Sequence, residues 1–201
     1  MQPFHHPCTP IDVTNSAALK PSPSDEVLAR EISHNGDEHA FRVLYRRYTP
    51  GLYQFALRLL GGNEFDAEDV LQETWITAVK KLPEFRWEAS LKTWLTSIAL
   101  NLCRSTLRRK DRRWLQVDED VSKARATHES ERIDLETALS QLAAGYRAVL
   151  VLHDVHGYTH EQIGQALSIS ANTSKSQLSR ARKNLRTMLA PYELEPKRIG
   201  P

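Results

Sequence analysis

The chain has 201 residues, of which 40% are hydrophobic and 26% are charged. This length fits one large domain or two small ones, and the apolar share excludes a wholly disordered chain. The longest apolar run has five residues, at 148–152, whereas a helix that crosses a membrane needs about 20. The first residues, MQPFHHPC, lack the basic and apolar segments of a secretory signal. We therefore expect no membrane insertion and a cytoplasmic protein with free thiols at Cys8 and Cys103.

The net charge of +2 conceals three segments of uneven charge. Segment 104–113 has six bases and one acid, and segment 168–189 has five bases and no acid. Segment 64–73 has five acids and no base. Basic faces attract polyanions, and an acidic face attracts a basic protein surface or a metal. The distribution therefore indicates two kinds of partner.

The N-terminal segment, residues 1–24, contains five of the ten prolines and no clear apolar periodicity. This composition predicts a flexible tail. His5, His6 and Cys8 could supply three zinc ligands there, but the sequence offers no fourth ligand nearby.

Two helices are predicted after this tail. Apolar spacing indicates a helix over 25–35, capped by Ser24 or Asp25 and ended by Gly36. A second helix is predicted over 37–60, and the glycine pair after it would end it. Pro50 lies inside this second helix and could bend it.

The third predicted helix begins near Asp66, whose side chain is the expected cap. Helical spacing makes one face apolar and predicts that this face is buried. The residues of that face are Leu71, Trp75, Ala78, Val79 and Leu82. Asp69, Gln72 and Glu73 share a turn away from it, so they form a solvated acidic face.

A loop over 83–90 leads into the fourth predicted helix, which Ser90 caps. One face of this helix is apolar and points to the core; its residues are Leu91, Leu95, Ile98 and Leu102. Another face carries aromatic, amide and guanidinium groups; its residues are Trp94, Ser97, Asn101, Arg104 and Arg108. Such a mixture is suited to nucleic acid, since bases stack on aromatic rings and phosphates pair with arginine.

The last part of the chain follows the helix-turn-helix plan. Thr159 and Gln162 form a capping box at the start of one helix, residues 168–170 form a turn, and a final helix covers 171–189. The inward arc of this final helix is Ser174, Leu178, Ala181 and Leu185. Its outward face is Asn172, Ser176, Ser179, Arg180, Lys183 and Arg186. A helix with that basic, acid-free face fits the major groove of DNA.

No stretch predicts a strand, so we expect an all-α chain of two small helical domains, an N-terminal helical bundle and a C-terminal helix-turn-helix, joined by a flexible linker. The predicted segments are a tail over 1–24, a first domain over 25–112, a linker over 113–132, a second domain over 133–190 and a C-terminal tail over 191–201.

Three alternatives remain at this point. A transcription activator would explain the helix-turn-helix alone, and an adaptor would explain the acidic helix alone. A metal hydrolase would use His153, Asp154 and His156, which lie together but lack a further ligand set. Because no catalytic constellation is complete, we expect no enzyme activity and no cofactor.

Three segments resemble bacterial RNA polymerase sigma factors, and they come in the order of that family. Residues 66–75 resemble the helix that binds core polymerase, and residues 85–101 resemble the promoter-melting segment. Residues 158–185 resemble the C-terminal helix-turn-helix. The compact two-domain layout is similar to the extracytoplasmic-function (ECF) group of the sigma-70 family.

The resemblance implies a sigma factor that binds core polymerase and directs promoter-specific initiation of a stress- or signal-responsive regulon. It implies contact with the polymerase β′ and β subunits, with promoter DNA and with an anti-sigma factor. The implied polymerase contacts are Asp69, Gln72 and Glu73. The implied contacts with the minus-ten element are Phe85, Arg86 and Asn101 around a flipped base, and Arg104, Arg108 and Arg109 on the backbone. The implied contacts with the minus-thirty-five element are Thr173, Lys175, Ser176, Ser179 and Arg180.

The chain departs from the family pattern at three places. Ala143 stands where the family usually has proline, Ser174 where it usually has valine, and Gln177 where it usually has a base. Ser174 lies on the inward arc, where a buried hydroxyl forfeits about 1 kcal/mol or more of apolar burial unless it bonds back along its own helix.

Overall fold

The structure, a computed structural model, describes residues 23–116 and 134–189. Every regular element in these two ranges is a helix, which confirms the predicted all-α fold class. The α-helices are α1 Asp25–Asn35, α2 Glu38–Leu59, α3 Glu64–Lys81, α4 Leu91–Lys110, α5 Leu135–Gln141, α6 Ala144–Leu150, α7 His160–Leu167 and α8 Ala171–Leu189. A short 3₁₀ turn follows α3 at Leu82–Glu84, and a π-helical segment follows α6 at Val151–Val155.

Several predictions fall on residues outside the described ranges. They concern most of the N-terminal tail with His5, His6 and Cys8, most of the linker, and the C-terminal tail.

Polar caps set the helix starts. Ser24 and Ser90 accept backbone N–H groups at the starts of α1 and α4, as predicted. For α3 the predicted cap was wrong, because Asn63 caps a helix that already begins at Glu64. Asn63 Oδ1 accepts from the backbone N–H of Asp66 at 2.9 Å. The carboxylate of Asp66 instead forms an ion pair with Lys110 of α4.

The first domain packs α1 to α4 around one apolar core. The predicted buried face of α3 was partly wrong, because Val79 is 42% exposed and Leu71 is only half-buried. The fully buried residues of α3 are Ala67, Val70, Thr74, Trp75 and Ala78. Thr74 tolerates this burial because its hydroxyl donates to the Val70 carbonyl at 2.7 Å.

The chain remains packed beyond α4. Trp114 lies in the predicted linker, yet it is buried in the core cluster. The backbone carbonyl of the next residue, Leu115, accepts a hydrogen bond from Gln177 of α8 at 3.0 Å.

The second domain packs α5 to α8, and α7, the turn and α8 form the predicted helix-turn-helix. Thr159 and Gln162 make both hydrogen bonds of the predicted capping box, at 3.2 and 2.9 Å. Gly164 of α7 lies against the turn, where a Cβ atom would come within 2.8 Å of the Ile169 carbonyl oxygen. The turn can therefore close on α7 only because position 164 is glycine.

The two domains contact each other. Arg147 of α6 is buried, and its guanidinium donates to the Leu59 carbonyl of α2 at 3.2 Å. Arg58 pairs with Glu136 of α5, with Nε 2.9 Å from Oε1. These contacts hold the end of α2 against α5 and α6.

Candidate polymerase and promoter surfaces

An open groove of about 410 Å³ lies between α3 and α4. It is lined by Asp69, Val70, Gln72, Glu73, Ile76, Leu102, Ser105, Thr106 and Arg109. The three residues predicted to bind polymerase are thus brought together on one wall, and all three side chains are exposed. The groove also receives Arg109, which the sequence had assigned to DNA, and its guanidinium donates to Thr106 Oγ1 at 3.1 Å.

Sequence reasoning missed the apolar part of this groove. Ile76 is 47% exposed and lies on the same wall as the acidic face. Leu102 of α4, predicted as core, is half-buried and lines the opposite wall. A signal was available for Ile76, because it follows Gln72 and Glu73 by four and three residues and therefore shares their face of the helix.

Aromatic rings gather at the loop before α4. Phe85 is stacked on Trp94, with ring centroids 4.7 Å apart and planes at 28°. Trp87 contacts Phe85 from another side at 4.9 Å and has a left-handed backbone, with φ of 59°. Such a φ is strained for a bulky residue. The sequence analysis did not assign Trp87 to the site.

The structure does not bring all the predicted minus-ten residues into one pocket. A groove of about 300 Å³ beside α1 is lined by Phe85 and Trp87, but not by Arg86 or Asn101. Arg86 and Asn101 are both exposed to solvent. Asn101 lies on α4 two turns beyond Trp94.

The three arginines predicted to hold the backbone near the minus-ten element differ in environment. Arg108 and Arg109 are exposed, whereas Arg104 is half-buried. Burial, together with the charge of Arg108, lowers the pKa of Arg104. One guanidinium nitrogen of Arg104 donates to Ser168 Oγ of the helix-turn-helix turn at 3.2 Å.

Helix α8 presents a basic face. Lys175, Ser176, Ser179 and Arg180 are exposed, as the prediction for the minus-thirty-five element requires. Thr173 is half-buried, and its hydroxyl is engaged with Ser170 at 2.8 Å at the start of the helix. Thr173 therefore takes part in the polar contacts at the start of α8 and is also partly exposed on its surface.

The two residues of α8 that differ from the family pattern, Ser174 and Gln177, have hydrogen-bond partners that sequence reasoning did not anticipate. Ser174 is fully buried, and its hydroxyl lies 3.0 Å from Nδ1 of His160 on α7, not along its own helix. Gln177 is buried against the segment that follows α4, where its amide donates to the Leu115 carbonyl. In this arrangement the side chain of Gln177 is therefore engaged in a contact between α8 and the segment that follows α4.

The residues of the hydrolase alternative make contacts between helices. Asp154 accepts hydrogen bonds from Arg182 of α8 at 2.6 and 3.0 Å, and this pairing lowers the pKa of Asp154. The ring of His156 packs edge-on against Phe55 of α2, at 4.7 Å. Across residues 23–116 and 134–189, no group of three or more His, Cys, Asp or Glu side chains could hold a metal ion.

Two further observations concern the chain as a whole. None of the helices in the described ranges has the length and hydropathy to cross a membrane.

The thiol of Cys103 lies in the core, and burial raises its pKa to about 12, so it is a packed apolar group and not a reactive thiolate.

Comparisons with known proteins show the family of this chain. The chain matches the family model "Sigma-70 region 2" over residues 44–113 and the model "Sigma-70, region 4" over residues 132–185. It is 33% identical over 187 residues to the ECF RNA polymerase sigma factor SigE of Mycolicibacterium smegmatis, covering 86% of this chain and 72% of that one. It is 32% identical over 166 residues to the ECF sigma factor SigM of Mycobacterium tuberculosis, covering 82% and 83%.

Solved structures show the same similarity. The sigma factor RpoE from Bartonella quintana, solved with the anti-sigma factor NepR, superimposes with a TM-score of 0.54 at 29% identity, over 75% of this chain and 96% of that one. CnrH, solved with the cytosolic domain of CnrY, superimposes with a TM-score of 0.52 at 26% identity, over 84% and 98%. The chain therefore belongs to the ECF group of the sigma-70 family, whose members direct RNA polymerase to promoters.

Proposed function

We propose that this sigma factor binds core polymerase through the groove between α3 and α4, and reads two promoter elements with the α4 face and with α8. The observation that carries this assignment is the separation of charge. Exposed acids line the groove beside an exposed isoleucine, whereas exposed bases lie on α8 and along the second half of α4.

The groove fits a basic helical partner such as the coiled coil of the β′ subunit. Asp69 and Glu73 offer negative charge, which guides the approach of a basic surface and disfavours an acidic one. Ile76 and Leu102 offer apolar area that such a partner can bury. Arg109 lies on the other wall of the groove, where its guanidinium donates to Thr106 Oγ1.

The aromatic cluster fits an unpaired base of the minus-ten element. Stacking of a base on an aromatic ring contributes about 1–3 kcal/mol, and removal of a base from the duplex costs a few kcal/mol. One or two stacking contacts at Phe85 and its neighbours therefore roughly offset that cost. Arg86 and Asn101 would hold the edge of the base and its backbone, and Arg104, Arg108 and Arg109 the adjoining phosphates.

Helix α8 fits the major groove at the minus-thirty-five element. Its exposed lysine and arginines can pair with phosphates or guanine edges, and its exposed serines can reach base edges at short range. Binding through so few phosphate contacts is weak and sensitive to salt. The free chain is therefore expected to bind duplex DNA poorly without polymerase.

The remaining assignments follow from the family. Because the similar sigma factor RpoE was solved with an anti-sigma factor, we expect an anti-sigma protein for this chain as well. We also expect a cytoplasmic protein with no catalytic activity of its own, a first domain over 25–112, and a second over 133–190. An activator that does not bind polymerase is disfavoured, because it leaves the α3–α4 groove without a role.

Reconstitution with core RNA polymerase tests the proposal. The chain should be retained by immobilised core polymerase, and it should start run-off transcripts from a subset of a genomic promoter library. The variant D69K should be retained less, whereas E68K, an equal charge change on an exposed residue outside the groove, should behave as wild type. Absence of transcripts from every promoter, while a known sigma factor is active in parallel, would contradict the proposal.

A further inference from the structure

We infer that His160 is a positioning residue for the recognition helix α8, which it holds through Ser174, and that protonation of His160 releases this hold. The inference rests on the proposed role of α8 in promoter reading. It follows that recognition of the minus-thirty-five element by the helix-turn-helix varies with pH.

The hydrogen bond of Ser174 runs to a residue of another helix. Two buried threonines bond to their own helix, Thr74 to the Val70 carbonyl at 2.7 Å and Thr96 to the Lys92 carbonyl at 2.8 Å. Ser174 is fully buried, and its hydroxyl bonds across to His160 at 3.0 Å. A buried hydroxyl without a partner is unfavourable, so α8 is tied to the start of α7 at this point.

A second set of contacts connects His160 to another part of α8. The ring of His160 stacks on the ring of His153 in the π-helical segment, with centroids 4.7 Å apart and planes at 25°. His153 bonds to Asp154 at 2.7 Å, and Asp154 binds the guanidinium of Arg182. Ser174 and Arg182 are about two turns apart on α8. Two separated attachments fix both the position and the tilt of a helix, which one attachment cannot do.

The charge around His160 bears on this hold as well. His153 faces it from the π-helical segment, Glu161 is its neighbour on α7, and Lys175 and Arg182 act on it from α8. Burial lowers the pKa of His160 first, followed by the charges of His153 and Lys175. A protonated His160 would place a cation against a second imidazole and beside two basic side chains.

The expected response to pH follows from the sign of that shift. A histidine whose pKa is lower in the folded protein than its ordinary value of about 6.5 favours the neutral, docked form. Above that value the docked form carries no penalty. As pH falls below about 6.5, protonation increasingly favours a form in which the His160 ring has left the stack and Ser174 has lost its partner. Recognition by α8 should weaken over this range.

Holoenzyme transcription tests the inference through a ratio that cancels general effects of pH on polymerase. The ratio compares run-off product from a responsive promoter with product from the same promoter carrying a scrambled minus-thirty-five element. For the wild type this ratio should fall about threefold to tenfold between pH 7.5 and pH 5.5. H160Q keeps a hydrogen-bonding side chain that does not titrate, so its ratio should be high and nearly constant.

Two further variants complete the design. S174V removes the hydroxyl but keeps a small apolar side chain, and its ratio should also be independent of pH. H156Q alters another half-buried histidine whose pKa is lowered by burial, and it should keep the wild-type pH profile. A pH profile in H160Q or S174V equal to that of the wild type, or a flat profile in H156Q, would overturn the inference.

A titration of the free full-length chain by NMR separates this inference from the proposed function. The His160 ring signals should titrate below the ordinary histidine value in the wild type and closer to it in S174V. This result is expected even if the chain starts no transcript. If the pKa of His160 in S174V equalled that in the wild type, the inferred hold of His160 on α8 would be overturned and the proposed function would be unaffected.

Discussion

Arg147 shows how one residue can serve both the second domain and the contact between domains. Its guanidinium donates to the carbonyls of Ser140 and Leu142 at 3.1 and 2.8 Å, which closes the end of α5. It also donates to Leu59 across the domain interface. Gly61 makes room for it, because a Cβ atom there would come within 2.9 Å of the guanidinium carbon.

Replacing Arg147 should therefore destabilise the protein. R147M keeps much of the apolar stem but leaves buried carbonyls without donors, and we expect a loss of about 2–4 kcal/mol in the free energy of unfolding. Urea denaturation of the full chain measures this change. R42M, which breaks an exposed pair with Glu38, should cost about 0.5 kcal/mol or less. Equal losses in the two variants would show that the buried contacts contribute little.

At the residue scale, the sequence identified unusual side chains but not their partners. Ser174 and Gln177 were recognised as departures from the family pattern, and Ser174 was correctly placed on the inward arc. Their actual partners, His160 and the backbone of Leu115, lie 14 and 62 residues away. Helical periodicity carries no information about contacts at such separations, so it could not supply them.

At the element scale, the helices with strong local signals were predicted closely. Serine and aspartate caps, Gly36 and the Thr159 capping box act within one turn, so the starts of α1 and α7 follow from sequence alone. The start and buried face of α3 depend on α4. Asp66 is drawn to Lys110, and Val79 has no neighbouring element to cover it fully.

The groove between α3 and α4 leads to a prediction about Ile76. I76A removes exposed apolar area from the proposed polymerase surface, and it should weaken binding to core polymerase about threefold to tenfold, which corresponds to roughly 1 kcal/mol of lost burial. Fluorescence anisotropy of the labelled chain titrated with core polymerase gives this affinity.

The matched control is V79A on the same helix. Val79 is nearly as exposed as Ile76, at 42% against 47%, but it does not line the groove. Its replacement should leave polymerase affinity unchanged. Equal weakening in both variants would mean that the polymerase surface extends beyond the groove, or lies elsewhere on α3.

At the scale of the whole molecule, the two domains are packed too closely for simultaneous promoter reading. Arg104, which belongs to the proposed minus-ten surface, donates to Ser168 Oγ, in the turn that precedes α8, at 3.2 Å. The two promoter elements are about 25 base pairs apart by their names, which is about 85 Å along B-DNA. On the proposed assignment of the two DNA surfaces, we therefore expect the contacts at Arg104, Gln177 and Arg147 to break before both surfaces bind DNA.

Opening of the two domains can be followed by energy transfer between dyes. We suggest labels at Arg42 of α2 and Gln165 of α7, both exposed, in a chain whose Cys8 is replaced by serine. Transfer should be high in the free chain and low in the holoenzyme bound to a promoter, because the 17 residues from 117 to 133 can extend to about 60 Å. Equal transfer in the two states would contradict the expected opening.

The all-α fold with two helical domains could be read from the sequence, because each domain has its own helical periodicity and its own motif. Their mutual packing could not. It depends on Arg58, Arg147 and His156, which look like ordinary polar residues of a helix surface or a helix end until their contacts in the other domain are known.

Polymerase binding and promoter opening are proposed to reside on different surfaces, and a titration of run-off transcription separates the two. Product is measured against the concentration of the chain at fixed core polymerase, for the wild type, D69K and N101A. D69K should need about tenfold more protein for half of the maximal product and then reach the wild-type maximum. N101A should reach half of its own maximum at the wild-type concentration, with a lower maximum. If both variants changed the same parameter by the same factor, the assignment of the two surfaces would be wrong.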